Sequence, residues 1–111
     1  MTQFLIIGRK IGPIEEAIGR VGTSEAVLHA ATGFDEARAV LTEHPVDAII
    51  MGAGLDLDER LDIVRFAFER SDRINVHMKD RATGPAGFPD FVAALVGLHA
   101  ERASVSSAQG R

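Results

Sequence analysis

The chain predicts an α/β fold: a three-layer αβα sandwich around a four-stranded parallel sheet of strand order 2-1-3-4. Three observations predict it. Short, nearly continuous apolar runs end in glycine or a turn, as in residues 3–8 (QFLIIG) and 46–51 (VDAIIM), which is how strands buried on both faces read. Stretches with helical apolar spacing lie between them. The two kinds alternate from one end to the other, and βα alternation with right-handed crossovers puts helices on both faces of a parallel sheet. The order follows from the common doubly wound pattern.

The elements come in sequence. Residues 3–8 form the first strand. The first helix spans 10–22. Pro13 suits its first position, Glu15 and Glu16 its positive N-terminal end, and Ile14, Ala17, Ile18 and Val21 its apolar stripe. Residues 25–31 (EAVLHAA) are the second strand. Thr32-Gly33-Phe34-Asp35 has the shape of a helix start; Phe34, Ala37, Val40 and Leu41 then point inward until His44-Pro45 stops the helix. Residues 46–51 are the third strand, and Gly52-Ala53-Gly54 a loop. Asp56 is a plausible N-cap for a third helix, whose inward stripe reads Leu57, Leu61, Val64 and Phe68. Residues 73–78 (RINVHM) have polar interruptions that suit an edge strand. After the loop 79–87, Pro89 and Asp90 open a last helix with Phe91, Val92, Leu95 and Leu98 on one face. Residues 1–102 make one domain, and 103–111 read as a frayed, flexible tail.

Composition narrows the function. The chain has 111 residues, enough for one core, with 46% hydrophobic and 25% charged residues, as in ordinary globular proteins. A net charge of −4 without a basic block argues against nucleic acid as a partner. The absence of cysteine removes disulfides, thiolate metal sites and cysteine nucleophiles, and fits a reducing compartment. The longest apolar run is far short of a membrane span, and no secretory signal is visible, so a bacterial, cytoplasmic protein with no membrane partner is expected. All six aromatics are Phe.

From Phe4 to about Leu98 the chain resembles a shortened bacterial response-regulator receiver domain, a flavodoxin-like fold. The residues that carry the likeness are FLIIG and VDAIIM for two strands, GFDEARAVLTEHPVDAII for the alanine-rich helix leading through a Pro-x-Asp step into the central strand, and GFPDFVAALVGL for the closing helix. The resemblance implies an acidic pair after the first strand, a phosphoacceptor Asp at the end of the third, and a Ser or Thr after the fourth. This chain has Gly8-Arg9, Met51-Gly52 and Met78-Lys79 there, and one βα pair is missing. A Mg²⁺ site needs converging carboxylate oxygens, which these positions do not supply. The likeness thus implies a receiver that is not phosphorylated on Asp. The chain is also similar to small bacterial proteins with GRK after the first strand, a likeness that imports no activity.

Several constellations remain. Ligands of such folds bind at the C-terminal strand ends. The loops 8–12, 52–54 and 79–87 meet there and carry four cations, Arg9, Lys10, Lys79 and Arg81, and six glycines, among them Gly8, Gly52, Gly54 and Gly84. They read either as a site for a phosphate-bearing ligand or acidic partner, or as tight turns in which glycine supplies positive φ. Gly8 and Gly12 match neither a Walker loop nor a dinucleotide fingerprint. Asp56, Asp58, Glu59 and Asp62 are a possible metal cluster, or decoration of the third helix's first turns. The histidines show no ligand spacing; His77, on the edge strand, is the one to watch. Phe66, with Ile63 beside it, lies across the third helix from its expected core stripe, so it is either covered by a neighbour or open to a partner.

The expected function is therefore a non-enzymatic interaction or regulatory module, a homodimer that also binds an unidentified protein, with Ile63, Phe66 and His77 as interface candidates and the Phe66 face of the third helix as the expected dimer surface. It uses no cofactor and no metal. The alternative is a small anion- or nucleotide-binding domain using Gly8, Arg9, Lys10, Gly52, Gly54, Lys79, Arg81 and Gly84.

Overall fold

A computed structural model describes residues 2–22, 26–80 and 85–109. Its element order is β1 (Thr2–Ile7), α1 (Ile11–Val21), β2 (Ala26–Ala31), α2 (Phe34–Glu43), β3 (Ala48–Met51), α3 (Leu57–Arg70), β4 (Asn75–Met78), a single 3₁₀ turn (Pro85–Gly87) and α4 (Phe88–Gln109). The sheet is parallel and ordered β2-β1-β3-β4. The chain is thus the flavodoxin-like α/β sandwich its alternating pattern predicts. Among the described residues no helix is long and apolar enough to cross a membrane.

The apolar runs form the middle of the sheet because they have no face to give to water. Leu5 and Ile7 of β1, with Ile49 and Met51 of β3, face one core, shared with Ala37 and Leu41 of α2 and Ile63 and Ala67 of α3. Phe4, Ile6, Ala48 and Ile50 point the other way, onto Ile14 and Ala17 of α1 and Phe88, Val92 and Val96 of α4. The strands' period of two therefore sorts one run of residues into two cores. β4 is the edge expected, with Asn75 and Met78 exposed.

Helix ends depart from the sequence reading in detail. α1 starts at Ile11, with Pro13 third in the helix rather than first and no acid in its first turn. Proline is tolerated there because the opening N–H groups have no helical partner. Gly22 ends α1 at φ 81° and donates its N–H to the Ile18 carbonyl. At α2 the N-cap is Gly33, without a side-chain cap. The Thr32 N–H and hydroxyl both donate to Glu36 Oε1, at 2.7 Å each, rather than to Asp35. α4 runs on to Gln109, through most of the segment expected as a tail.

The main correction concerns α3. Leu57, Leu61 and Phe68, expected inside, are 56, 48 and 46% exposed, and only Val64 of that stripe is half-buried. Ile63, expected on a partner face, is completely buried in the protein's own core beside Ala67. Phe66 is half-buried and covered by its own neighbours. Phe34 meets its ring edge-on at 6.1 Å, and the Arg38 and Arg70 guanidiniums lie 5.8 and 5.7 Å from its centre. Arg70 Nε also donates to the Leu41 carbonyl near the end of α2. The reason is spacing. Ile63 and Ala67 are one turn apart, and alanine's small side chain lets the helix lie close to the sheet, which a face of Leu and Phe would not. On α4, Leu98 is likewise exposed, while Val96 is inside.

The two faces of α3 can be told apart by urea denaturation. Ile63→Ala should destabilise by about 2–5 kcal/mol, as deletions in a packed core do. Leu61→Ala, compared in the monomer below the concentration at which copies could pair, should stay within about 0.5 kcal/mol, as at a surface. The reverse ranking would restore the stripe read from sequence.

Candidate functional site

β1, β3 and β4 end level with one another, and the sheet's own bonding holds the residues just past them. Gly8 N–H donates to the Ala31 carbonyl (3.2 Å), Gly52 N–H to Ile7 (2.8 Å) and Lys79 N–H to Met51 (2.9 Å). Three of the residues expected to form a site are therefore fixed by hydrogen bonds that continue the parallel ladder. Beyond them lies a cavity of about 370 Å³. Gly8, Arg9 and Lys10 border it from the β1–α1 connection, Gly52, Ala53 and Gly54 from the β3–α3 connection, and Lys79 and Asp80 from the end of β4. Pro13 and Ile14 of α1 and Phe88 of α4 close the apolar side.

This is the topological switch point. From β1 the chain leaves for α1 on one face of the sheet, and from β3 for α3 on the other. The two connections part, and the gap between them is where open α/β sheets bind ligands.

The glycines work by close approach. Among the described residues the left-handed backbone conformation occurs at Gly22 and not in these loops, so the positive-φ explanation does not hold for them. A methyl group on Gly54 would come within 3.1 Å of Arg9 Cβ, and one on Gly52 within 3.4 Å of the Phe88 ring. Gly54 lets Arg9 lie across the loop, where a guanidinium NH1 donates to the Gly54 carbonyl at 3.2 Å. At Gly52 the added methyl would meet the Phe88 ring at ordinary contact distance, so this glycine leaves space open rather than avoiding a clash.

The cations differ in setting. Arg9 and Lys10 are exposed at the rim. Lys79 is 6% exposed, and its Nζ donates to the Asp80 carbonyl oxygen at 3.3 Å. A buried ammonium is costly unless its protons find acceptors or an anion. Among the described residues the site thus gathers three cations against one carboxylate, Asp80. Arg81 and Gly84 lie outside the described residues.

The other candidates fall elsewhere. Met51 is buried in the core, so a core methionine and a glycine occupy the end of β3. Glu59 of the carboxylate group serves the fold, since its Oε2 accepts the Phe34 N–H at 2.9 Å and so caps α2 from α3. Among the described residues no three His, Asp or Glu side chains gather as a metal would require. The histidines pair off, and none borders the cavity. His77 and His99 bring their Nε2 atoms to 3.2 Å, which turns His77 towards its own α4. His29 stacks on His44 at 4.2 Å and shares a hydrogen bond with Gln3 Oε1. The apolar wall of Pro13, Ile14 and Phe88 was not singled out from sequence; the signal was the Gly-Phe-Pro at 87–89, which reads as a helix start.

Compared with models of known protein families, the chain matches none, and no curated protein matches it either.

Burial, and then the neighbouring His44, hold the His29 imidazole below its ordinary range, favouring the neutral ring in the fold. An unfolded chain takes up that proton first as the pH falls, so this contribution to stability is present at neutral pH and is lost on acidification through about pH 6.5 and below. His29→Gln should therefore flatten the melting temperature between about pH 7 and pH 5. An unchanged slope would assign the pH dependence to other groups.

Proposed function

We propose that this chain is a small, non-enzymatic binding domain that takes an anionic ligand in the cavity at the switch point. One observation carries the reading: Arg9, Lys10 and the buried Lys79 border a single cavity whose backbone is pinned by the sheet. Of the two expected functions, the geometry favours the anion site over an interaction surface at Ile63 and Phe66, which the chain covers itself. The receiver likeness belongs to the same proposal. A domain of this fold with Met51-Gly52 at the end of its central strand would respond to a bound ligand, not to Asp phosphorylation.

A second reading rests on the outer face of α3. Leu57, Leu61, Val64 and Phe68 recur at alternating steps of four and three, the seam of paired helices. Asp58 and Arg65, both exposed, flank that seam on one side. Antiparallel pairing of α3 with α3 of a second copy sets Asp58 beside the other copy's Arg65, and the reverse, about a two-fold axis. The occupant proposed is thus a second copy of this chain. This homodimer would use a different face from the one read in sequence.

Inorganic phosphate at a hundredfold excess over its dissociation constant should stabilise the protein by ~2.7 kcal/mol. Arg9→Ala combined with Lys79→Met, which keeps the buried stem's bulk, should remove that shift. A parent protein indifferent to phosphate and sulfate would leave the loops as plain turns. Light scattering tests the second reading. The parent should be dimeric at micromolar concentration, Asp58→Arg should weaken the dimer, and adding Arg65→Asp should restore it. A monomeric parent ends that reading.

A further inference from the structure

The cavity's walls say more about its ligand than its charges do. Pro13, Ile14, Ala53 and Phe88 are apolar residues on its wall, and Gly52 adds no side chain at the end of β3. The cations border the same space, Arg9 and Lys10 after β1 and Lys79 after β4, with the Arg9 guanidinium held at the Gly54 carbonyl. A site built for inorganic phosphate or a polyphosphate has no use for an apolar wall, since such ions are hydrated on every side. A site for an uncharged apolar molecule has no use for the three cations that border this one. Both features in one space call for a ligand with two ends.

The size agrees. At about 370 Å³ the cavity is at the small end of ligand pockets. An engineered cavity of about 150 Å³ accepts a benzene molecule. The present one has room for a ring or a branched chain of that bulk together with an anionic group. A nucleoside triphosphate is too large and too polar.

We propose that the ligand is a small organic anion with an apolar body. The body lies against Phe88, Ile14 and Pro13, and the anionic head, a phosphate ester or a carboxylate, sits towards Lys79 and Arg9. Asp80 is the one carboxylate on the wall among the described residues, and it disfavours a second negative group at the β4 end. This inference rests on the anion-site reading and adds the class of ligand to it.

The test uses the intact protein and four probes: inorganic phosphate, phenyl phosphate, phenylacetate and benzyl alcohol. Each is titrated while the backbone amide resonances of Gly8, Gly52, Gly54 and Lys79 are followed. Phenyl phosphate or phenylacetate should bind at least about tenfold more tightly than inorganic phosphate, as burial of one phenyl ring implies, and at least about tenfold more tightly than benzyl alcohol, which has the ring without the charge. Which of those two is tighter identifies the head group. Phe88→Leu, which keeps the core filled, should reduce the advantage over phosphate without changing phosphate binding. Equal affinity for phosphate and phenyl phosphate would overturn the two-ended ligand and leave the anion site standing. Benzyl alcohol binding as well as phenyl phosphate, or no probe moving these amides, would overturn both.

Discussion

Strands β1 and β3 have no face in water, and the rest of the molecule is arranged around that fact. Leu5, Ile6, Ile7, Ile49, Ile50 and Met51 are all completely buried, alternately in the two cores. The ladder runs Phe4 to Ala48 through Ile7 to Met51 with no slip. A slip of one residue would exchange every side chain between the cores. Register is therefore strongly specified, and it has a consequence outside the sheet: both strands stop at the same level, and their backbone bonding carries on to Gly8, Gly52 and Lys79. The precision of the core is handed to the residues beyond it.

Divergence of the two connections turns that level end into a cavity. α1 packs with α4 on one face of the sheet, and α3 with α2 on the other. Neither connection covers the gap between them, and Phe88 lines only its side. A side chain on Gly54 would crowd Arg9, and one on Gly52 would reach into the space beside Phe88. Glycine is there for room. The same residue type at Gly22 serves the backbone itself, as the left-handed end of α1.

The strands and their order were legible in sequence because an apolar run buried on both faces has few other readings. That Gly8, Arg9, Lys10, Gly52, Gly54 and Lys79 border one space was legible because topology alone brings the strand-end loops together. α3 was not. It carries Leu57, Leu61, Ile63, Val64, Phe66, Ala67 and Phe68, apolar residues around most of its circumference, so periodicity offers several faces of similar merit. Bulk favoured the Leu-Phe stripe. Close packing on the sheet chose Ile63 and Ala67, a preference that depends on the distance between helix and sheet and is not written in any one residue. The wall of the cavity was hidden for a related reason: Phe88 joins Gly52 and Ile14 only once α4 is docked beside α1.

Charge acts on two length scales in this molecule. The chain as a whole carries −4, which disfavours an extended polyanion lying along its surface. A small ligand inside the cavity meets a different field. Arg9, Lys10 and Lys79 border the cavity, and Lys79 is buried. An acidic chain can thus gather three cations at one cavity, among the described residues, while its net charge stays negative. Net charge and site charge answer different questions, and the fold keeps them apart by placing its buried lysine where the strands end.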